Sequence, residues 1–347
     1  MSTFDNTTQL APLKTWLKES FALTRFELQP LVNDASSRQY FRLQMDSGSH
    51  VVMLAPPDKE NMAAFIAIAK DFARQGIYTP EILAYNIEKG FMLLSDLGND
   101  LYLNLLNANT VDDLYTRALS VIHQIQVCNP KLPNDQPLDL FNEQHIRFEL
   151  GLFIDWFLGR HLQINITPKF KNVLEQTFKV LINSALEQPQ VCIHRDYHSR
   201  NLLLLENKSV GVLDFQDAIY GPITYDAASL LRDAYVDWPK KQVDKWILKF
   251  YNMLKLNHQY NSEKFIRWFD LISIQRHLKI LGIFARLYYR DNKSHYLPMT
   301  SRLLHYIGKT CEKYPELAQF KQLLQTFLWN ETLNSIYMTL YLLRICK

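Results

Sequence analysis

The 347-residue sequence predicts an α+β fold in which a small antiparallel, β-rich lobe precedes a large, mainly helical lobe. In the N-terminal part, short runs rich in β-branched and aromatic residues alternate with turn residues, a pattern typical of antiparallel strands. Beyond Asp96-Leu97-Gly98, apolar residues recur mainly at the spacing of amphipathic helices. This change predicts an N-terminal lobe over residues 1–97 and a C-terminal lobe over residues 98–347.

The predicted N-terminal lobe contains two helices and a sheet. Leucine, tryptophan and phenylalanine at helical spacing predict a first helix over residues 10–21. Pro56 and Pro57 end the third strand, and a second amphipathic helix covers residues 62–73. The predicted strands, separated by turn residues, cover residues 26–31, 39–43, 50–55, 82–86 and 91–95.

Short strands also interrupt the helical C-terminal lobe. They cover residues 191–193, 202–205 and 210–213. The first two bracket the polar loop from His194 to Asn201, and the third leads into Asp214. Catalytic side chains are commonly mounted on loops that a rigid scaffold holds in place. These segments therefore form the candidate active site.

The end of the chain, residues 237–347, is predicted to be helical throughout. Its last segment, residues 327–346, is rich in leucine, isoleucine, tyrosine and methionine but also carries polar residues. A packed C-terminal helix explains this pattern, and a helix that docks on a partner or a second copy is the alternative.

The composition favours a globular protein that acts on small molecules. Hydrophobic residues make up 48% of the chain, and a formal charge of +3, from 38 basic and 35 acidic residues, is too small to indicate a nucleic-acid surface. The cysteines are far apart without a CxxC pair, so neither a disulfide framework nor a zinc site is expected. The N-terminus does not resemble a secretion signal, and no apolar run suits a membrane span. We therefore expect a cytoplasmic protein without a nucleic-acid or membrane partner.

The spacing of Asp196, Asn201 and Asp214 is typical of phosphoryl transfer from a metal-bound nucleotide. In that chemistry one carboxylate accepts the proton of the attacking hydroxyl, while a second carboxylate and an amide oxygen hold Mg²⁺ against the phosphates. Turn capping alone does not explain the three residues together. A metal-dependent hydrolase is the alternative, although it leaves Asn201 without a role. Its ligands would be His194, His198, Asp214 and Asp217.

The motif HRDYHSRN at residues 194–201, followed by LDFQDA at residues 213–218, resembles the aminoglycoside phosphotransferase family. Further stretches are similar to one branch of it, the cell-wall amino-sugar kinases, which phosphorylate the anomeric hydroxyl of N-acetylmuramic acid and N-acetylglucosamine. Those stretches are residues 221–226, 230–233 and 275–286. The resemblance covers about residues 10–325. It implies a two-lobe, protein-kinase-like fold with ATP as phosphoryl donor and Mg²⁺ as cofactor.

The resemblance also implies roles for the polar residues of these motifs. Asp196 is implied to be the catalytic carboxylate, and Asn201 and Asp214 to be the Mg²⁺ ligands, in agreement with their chemistry. His194 is implied to be a structural support, and Asp226 a buried support of the catalytic loop. For Asp226, a plain N-cap of the following helix, predicted to reach residue 235, is an equal alternative.

The predicted nucleotide site in the N-terminal lobe departs from the usual kinase pattern. The loop at residues 34–40 contains no glycine, so backbone amides with Ser36, Ser37 or Arg38 are expected to cradle the phosphates, unless the loop is an ordinary polar hairpin. On the third strand, Met53 lies where a protein kinase has its phosphate-contacting lysine.

Two further features complete the predicted nucleotide site. Arg38 and Lys59 are both candidates for the missing positive charge. Backbone groups of Ser95 and Leu97, where such a fold joins its lobes, are expected to contact adenine, with a simple linker as the alternative.

The residues that contact the sugar are predicted from their position. The candidates are His198, Arg200, Gln216, Glu149, Asp155 and Arg232. The first three lie beside the catalytic groups in sequence, and the other three lie on predicted helices. Each has an alternative as a packed histidine or a solvated side chain. A positive group facing the sugar would suit the lactyl carboxylate of N-acetylmuramate.

The predicted function is an ATP-dependent kinase that phosphorylates the anomeric hydroxyl of N-acetylmuramic acid, N-acetylglucosamine or both, in peptidoglycan recycling. Fold analogy does not determine the substrate within such a family, so a kinase of another small hydroxyl compound, such as an aminoglycoside, choline or homoserine, is an alternative. The absent lysine and glycines motivate a second alternative, a nucleotide-binding pseudokinase.

Overall fold

The computed structural model describes residues 6–31, 37–45 and 48–334. They form two compact units. The first contains residues up to 138 together with 194–196 and 200–218, and the second contains residues 139–193, 197–199 and those from 219 onward. The lobe boundary predicted between residues 97 and 98 stays a prediction.

The elements are numbered along the chain. The helices are α1 (Asn6–Phe21), α2 (Met62–Arg74), α3 (Tyr102–Leu105), α4 (Val111–Gln126), α5 (Glu143–Leu152), α6 (Pro168–Leu186), α7 (Tyr225–Leu231), α8 (Lys240–Met253), α9 (Ser262–Asp291), α10 (Thr300–Cys311) and α11 (Ala318–Asn334). The strands are β1 (Leu28–Pro30), β2 (Gln39–Met45), β3 (Gly48–Leu54), β4 (Ile82–Asn86), β5 (Phe91–Ser95), β6 (Lys131–Leu132), β7 (Gln136–Pro137), β8 (Gln190–Ile193), β9 (Leu202–Leu204), β10 (Val210–Val212) and β11 (Ile219–Pro222).

The first unit is built on a five-stranded antiparallel sheet with the order β1-β2-β3-β5-β4. Alternate side chains of the strands point to opposite faces. One face is buried against α1 in a core that contains Leu13, Trp16, Leu17, Phe41, Leu43, Val52, Leu54, Phe91 and Leu93. The other face includes Met53 and Met92, which lie directly opposite each other on β3 and β5. The predicted α+β class and the five predicted strands are confirmed.

The second unit is organised around α9, a helix of 30 residues. This helix packs against α5, α6, α7, α10 and a π-helical segment, Phe153–His161, that continues α5. A Cβ atom at Gly282 would lie 2.3 Å from the backbone carbonyl carbon of Leu152. The absence of a side chain at Gly282 therefore allows α9 and the end of α5 to approach closely.

Some elements differ from the prediction. The strand β11 was not predicted, because Gly221 and Pro222 both disfavour strands; it forms by antiparallel pairing with β8. The helix predicted to reach residue 235 ends at Leu231, since Arg232 leaves the helical conformation. The C-terminal helix is observed up to Asn334, and the rest of the segment predicted to residue 346 lies outside the described residues. Within the described ranges, no helix is both long and apolar enough to cross a bilayer.

Candidate active site

The two strands around the candidate site, β9 and β10, form a hairpin within the first unit. Val212 donates its N–H to the carbonyl of Tyr78 over 2.8 Å. Just beyond the hairpin, the buried ring of Phe215 packs on Phe65 and Phe72 of α2, with centroids 4.7 and 5.8 Å away. Asp214 therefore lies between Val212 and Phe215, which are both held in place, and this limits the positions that its carboxylate can adopt.

The structure brings Asp196, Asn201 and the residue before Asp214 into one hydrogen-bonded arrangement. The side-chain Nδ2 of Asn201 donates to the carbonyl of Asp196 over 2.9 Å. The N–H of Leu213 donates to the carbonyl of Asn201, also over 2.9 Å. The three residues with predicted catalytic and metal-binding roles are thus linked through the backbone, and their functional roles stay predictions.

The side chain of His194 links the backbone of Asp196 to that of Leu213. Its ring is fully buried. Nε2 lies 2.8 Å from the carbonyl of Leu213, and Nδ1 accepts the N–H of Asp196 over 3.3 Å. A carbonyl only accepts and an N–H only donates, so these partners assign the ring proton to Nε2. Because both ring nitrogens face backbone groups, His194 is not placed to bind a metal, which counts against the hydrolase alternative.

Two residues of the site have left-handed backbone conformations. The φ angle is 75° at Arg195 and 60° at Asp214, and neither residue is glycine. Such conformations cost on the order of 1–3 kcal/mol each and persist where the surrounding structure imposes them. The hydrogen bonds of His194 and Leu213 provide that constraint on either side of Arg195 and next to Asp214.

Asp214 presents an exposed carboxylate beside two polar side chains of the same unit. Its side chain is 46% exposed, and Oδ1 accepts a hydrogen bond of 2.8 Å from Nε2 of Gln216. Arg38 approaches the same oxygen, with Nη1 at 3.6 Å. A second guanidinium nitrogen, Nη2, lies 2.6 Å from the carboxylate of Glu60. Gln216 and Arg38 are therefore neighbours of Asp214, while their substrate and nucleotide contacts stay predictions.

The donor set around Asp214 and Asn201 fits Mg²⁺. Magnesium prefers one or two carboxylates together with phosphate and water oxygens. Asp214 offers an exposed carboxylate, and since Nδ2 of Asn201 is bonded to the backbone of Asp196, Oδ1 is the atom of that amide suited to a cation. Over the described parts of the chain, no group of three His, Cys, Asp or Glu side chains is placed to hold a metal.

The segment predicted to contact adenine is anchored to the sheet. Asp96 accepts hydrogen bonds from Arg42 on β2, over 2.6 and 3.1 Å, and from Ser49 on β3, over 2.5 Å. Burial raises the pKa of the Asp96 carboxyl, but these partners outweigh it and the net pKa lies below the ordinary value. The N–H of Ser95 is bonded to the carbonyl of Glu81. The contacts of the backbone groups of Ser95 and Leu97 with adenine stay predictions.

The other predicted nucleotide residues are placed as follows. Met53 is 1% exposed and lies opposite Tyr40 of β2. The hydroxyl of Ser37 bonds the carboxylate of Glu60. Lys59 lies in an exposed turn, and Ser36 falls outside the described residues.

Four of the predicted sugar contacts, His198, Glu149, Asp155 and Arg232, belong to the second unit, whereas Arg200 and Gln216 belong to the first. Glu149 is 2% exposed and forms an ion pair with Lys279 at 2.9 Å. Arg232 pairs with the buried carboxylate of Asp270. Asp155 is exposed on the π-helical segment, and the ring of His198 packs on that of Tyr235. Their contacts with a sugar stay predictions.

Two polar residues near the motifs were not assigned roles from the sequence. Glu60 binds Arg38, and its only sequence signal is its position just before Asn61, the N-cap of α2. Asp233, in the second unit, accepts from the N–H and the hydroxyl of Ser199, over 3.0 and 2.6 Å.

The N-cap of α7 is Thr224 rather than Asp226. Asp226 is completely buried in the first turn of this helix, and its role as a support of the catalytic loop stays a prediction.

Comparison with known proteins agrees with this geometry. Residues 27–257 match the model of the phosphotransferase enzyme family. The chain is 40% identical over 295 residues to a protein of Pseudomonas putida named N-acetylmuramate/N-acetylglucosamine kinase, covering 84% of this chain and 86% of the relative. A protein of Neisseria meningitidis serogroup B with the same name is 35% identical over 331 residues, covering 93% and 97% of the two chains.

Solved structures with low sequence identity share the fold. An ethanolamine kinase of Plasmodium vivax has a TM-score of 0.62 at 12% identity, covering 89% of this chain and 91% of that one. An aminoglycoside phosphotransferase bound to ADP has a TM-score of 0.57 at 15% identity, covering 86% and 98%. The predicted protein-kinase-like fold is thereby confirmed. The hydrogen-bonded motifs, the family match and the relatives agree, and the chain belongs to the phosphotransferase enzyme family.

Proposed function

We propose that this protein is an ATP-dependent kinase that phosphorylates the anomeric hydroxyl of N-acetylmuramic acid, N-acetylglucosamine or both. The observation that carries the proposal is the hydrogen-bonded set of Asp196, Asn201 and Leu213-Asp214, in a chain 35% or more identical to relatives named for these sugars. The product is a sugar 1-phosphate, which suits a role in returning peptidoglycan sugars to nucleotide-sugar precursors in the cytoplasm.

The proposed chemistry assigns one task to each polar group. Asp196 orients the anomeric hydroxyl for in-line attack and accepts its proton; this hydroxyl is more acidic than an ordinary alcohol, so orientation matters as much as proton removal. Asn201 and Asp214 hold Mg²⁺, which neutralises charge on the transferring phosphoryl group when bound. His194 keeps the backbone of Asp196 and Leu213 in place through its two ring nitrogens.

The remaining assignments concern substrate binding. Backbone amides with the side chain of Ser37 or Arg38 contact the nucleotide phosphates, Met53 is part of the nucleotide site, and backbone groups of Ser95 and Leu97 contact adenine. On the sugar side, Gln216 is a proposed contact that lies beside Asp214, with its Nε2 2.8 Å from that carboxylate. Arg200, His198, Glu149, Asp155 and Arg232 complete the proposed set.

The test is phosphoryl transfer to a panel of acceptors with the full chain, ATP and Mg²⁺. The panel contains N-acetylmuramic acid, N-acetylglucosamine, an aminoglycoside, choline and homoserine. We expect turnover with the amino sugars and loss of the sugar's reducing end, because phosphorylation at the anomeric position blocks ring opening. The methyl glycoside of N-acetylglucosamine, which lacks the anomeric hydroxyl, is the matched control and should not react.

The outcomes separate the alternatives. Turnover of the methyl glycoside would place the phosphate on another hydroxyl. Turnover with only choline, homoserine or an aminoglycoside would assign a different substrate class. ATP binding without turnover on any acceptor would indicate a pseudokinase.

A further inference from the structure

The phosphates of a bound nucleotide carry several negative charges, and kinases place a basic side chain on the third strand of the sheet to meet them. Here that position is Met53, which is apolar and 1% exposed. Met53 lies directly opposite Tyr40 on β2 and Met92 on β5. The strand therefore offers no cation at this point of the first unit.

A cation is present on the same face, one strand away. Residues directly opposite each other in an antiparallel pair share a face, as do residues two apart along a strand. Tyr40 is opposite Met53, and Arg38 is two residues before Tyr40, directly ahead of the first residue of β2. Arg38 thus lies at the entry to the neighbouring strand, close to the position where the lysine is missing.

Arg38 is held in place by fixed partners. Its Nη2 lies 2.6 Å from Oε2 of Glu60, and both side chains are only 10% exposed. The other carboxylate oxygen of Glu60 accepts the hydroxyl of Ser37. A buried ion pair often adds little net stability because both charges lose their hydration. The ion pair matters here because it fixes the position of the Arg38 guanidinium through Nη2.

The other end of the guanidinium faces the candidate metal site. Nη1 of Arg38 lies 3.6 Å from Oδ1 of Asp214. In phosphoryl-transfer sites the metal bridges its protein carboxylate to the nucleotide phosphates. Because Arg38 is this close to Asp214, its guanidinium is within reach of those phosphates. The other candidate cation, Lys59, lies in an exposed turn.

We infer that Arg38 is the phosphate-binding cation of this protein, replacing the third-strand lysine, and that Glu60 is the residue that positions it. The inference rests on the proposed function for the presence of a nucleotide, and it goes beyond it by assigning the charge to one side chain and the positioning to another. An arginine can contact two phosphate oxygens at once through its planar fork, which a lysine cannot do.

The test compares the affinities of the full chain for ATP and for adenosine, by calorimetry, in wild type and in Arg38→Met, Arg38→Lys, Glu60→Gln and the Arg38→Met/Glu60→Gln double variant. Arg38→Met should weaken ATP binding about 10- to 100-fold, the range of a charge-assisted hydrogen bond, and change adenosine binding less than about twofold. Arg38→Lys should lie in between. Retained adenosine binding also shows that each variant is folded.

Glu60→Gln should weaken ATP binding less than Arg38→Met does, and it should add no further loss in the double variant, because it acts through Arg38. Arg74→Met is the matched control: Arg74 pairs with Asp71 in the same unit, and its loss should change neither affinity.

An ATP affinity of Arg38→Met within about threefold of wild type would overturn the inference. An equal loss of ATP and adenosine binding would also overturn it, since it would indicate a structural role. The assay measures binding and does not depend on turnover. If the wild type binds ATP but phosphorylates no sugar, the proposed function is contradicted. The ATP affinities of the Arg38 variants still decide whether Arg38 binds the phosphates.

Discussion

Asn201 donates from its side-chain Nδ2 to the backbone carbonyl of Asp196 over 2.9 Å. The proposed metal ligand therefore also closes the loop that carries the proposed catalytic carboxylate. This double use explains why an amide is suited to the position: one atom donates to the backbone while the other is available to a cation. A carboxylate at 201 would lose the donor, since an ionised carboxylate only accepts.

Replacement of Asp196 should remove the proton acceptor and leave the nucleotide site intact. We expect Asp196→Asn to lower kcat by at least about 100-fold, the lower end of general base catalysis, while the affinity for ATP changes little. Turnover with N-acetylglucosamine and calorimetric titration of ATP measure the two properties. A kcat close to that of wild type would remove Asp196 from its proposed role.

Replacing Asp214 and Asp217 one at a time should distinguish a nucleotide-linked Mg²⁺ site from a hydrolase metal centre. Asp214→Asn should raise the Mg²⁺ concentration needed for half-maximal turnover by tenfold or more, on the order of 1.4 kcal/mol of lost charge interaction. Asp217→Asn removes another exposed carboxylate, which accepts from Gln216 over 3.1 Å, and it should retain most activity. Mg²⁺ titrations of turnover compare the pair. Equal sensitivity of both variants would favour a metal centre that includes Asp217.

His277 should make the stability of the fold depend on pH. Burial, together with the nearby Arg232 and Arg276, lowers its pKa from 6.5 to about 3, against the opposing hydrogen bond to the carbonyl of Arg232. The unfolded chain therefore binds a proton that the folded chain excludes between these values, and stability should fall as the pH falls from about 6.5 towards 3.

The measurement is urea unfolding between pH 7 and 4 for wild type and His277→Gln, which keeps a donor for the carbonyl of Arg232. The variant should reduce the slope by as much as about 1.4 kcal/mol per pH unit. His123→Gln removes an exposed histidine from α4 and should follow wild type. Parallel slopes for wild type and His277→Gln would mean that His277 is protonated in the folded state.

The close approach of α9 and α5 should make Gly282 intolerant of a methyl group. A Cβ there would lie within 2.3 to 2.6 Å of backbone atoms of Leu152 and Phe153, which cannot move aside easily. We expect Gly282→Ala to lower the free energy of unfolding by about 1–3 kcal/mol or more. Gly308 lies in α10 with no atom within 4 Å of an added Cβ, so Gly308→Ala should stabilise by about 0.5–1 kcal/mol. Denaturant unfolding compares them, and equal effects would contradict the packing argument.

Much of the first unit follows from local pattern. The strands β4 and β5 begin and end where the sequence predicts, because two short apolar runs separated by the turn residues up to Gly90 leave few alternatives. The strand β11 was missed because its stability comes from pairing with β8, not from its own residues. The π-helical segment Phe153–His161 was missed for a related reason, since no local propensity marks it.

By itself, the sequence determined the chemistry: the spacing of Asp196, Asn201 and Asp214, and the family that their motifs resemble, can be read along the chain. Only the tertiary structure decided that Arg38, which we infer to replace the charge missing at Met53, lies beside Glu60 and Asp214. These residues are far apart in sequence and meet through strand pairing and the packing of Phe215 on α2. Motif spacing is a local property, whereas an ion pair between distant segments depends on how the whole unit folds.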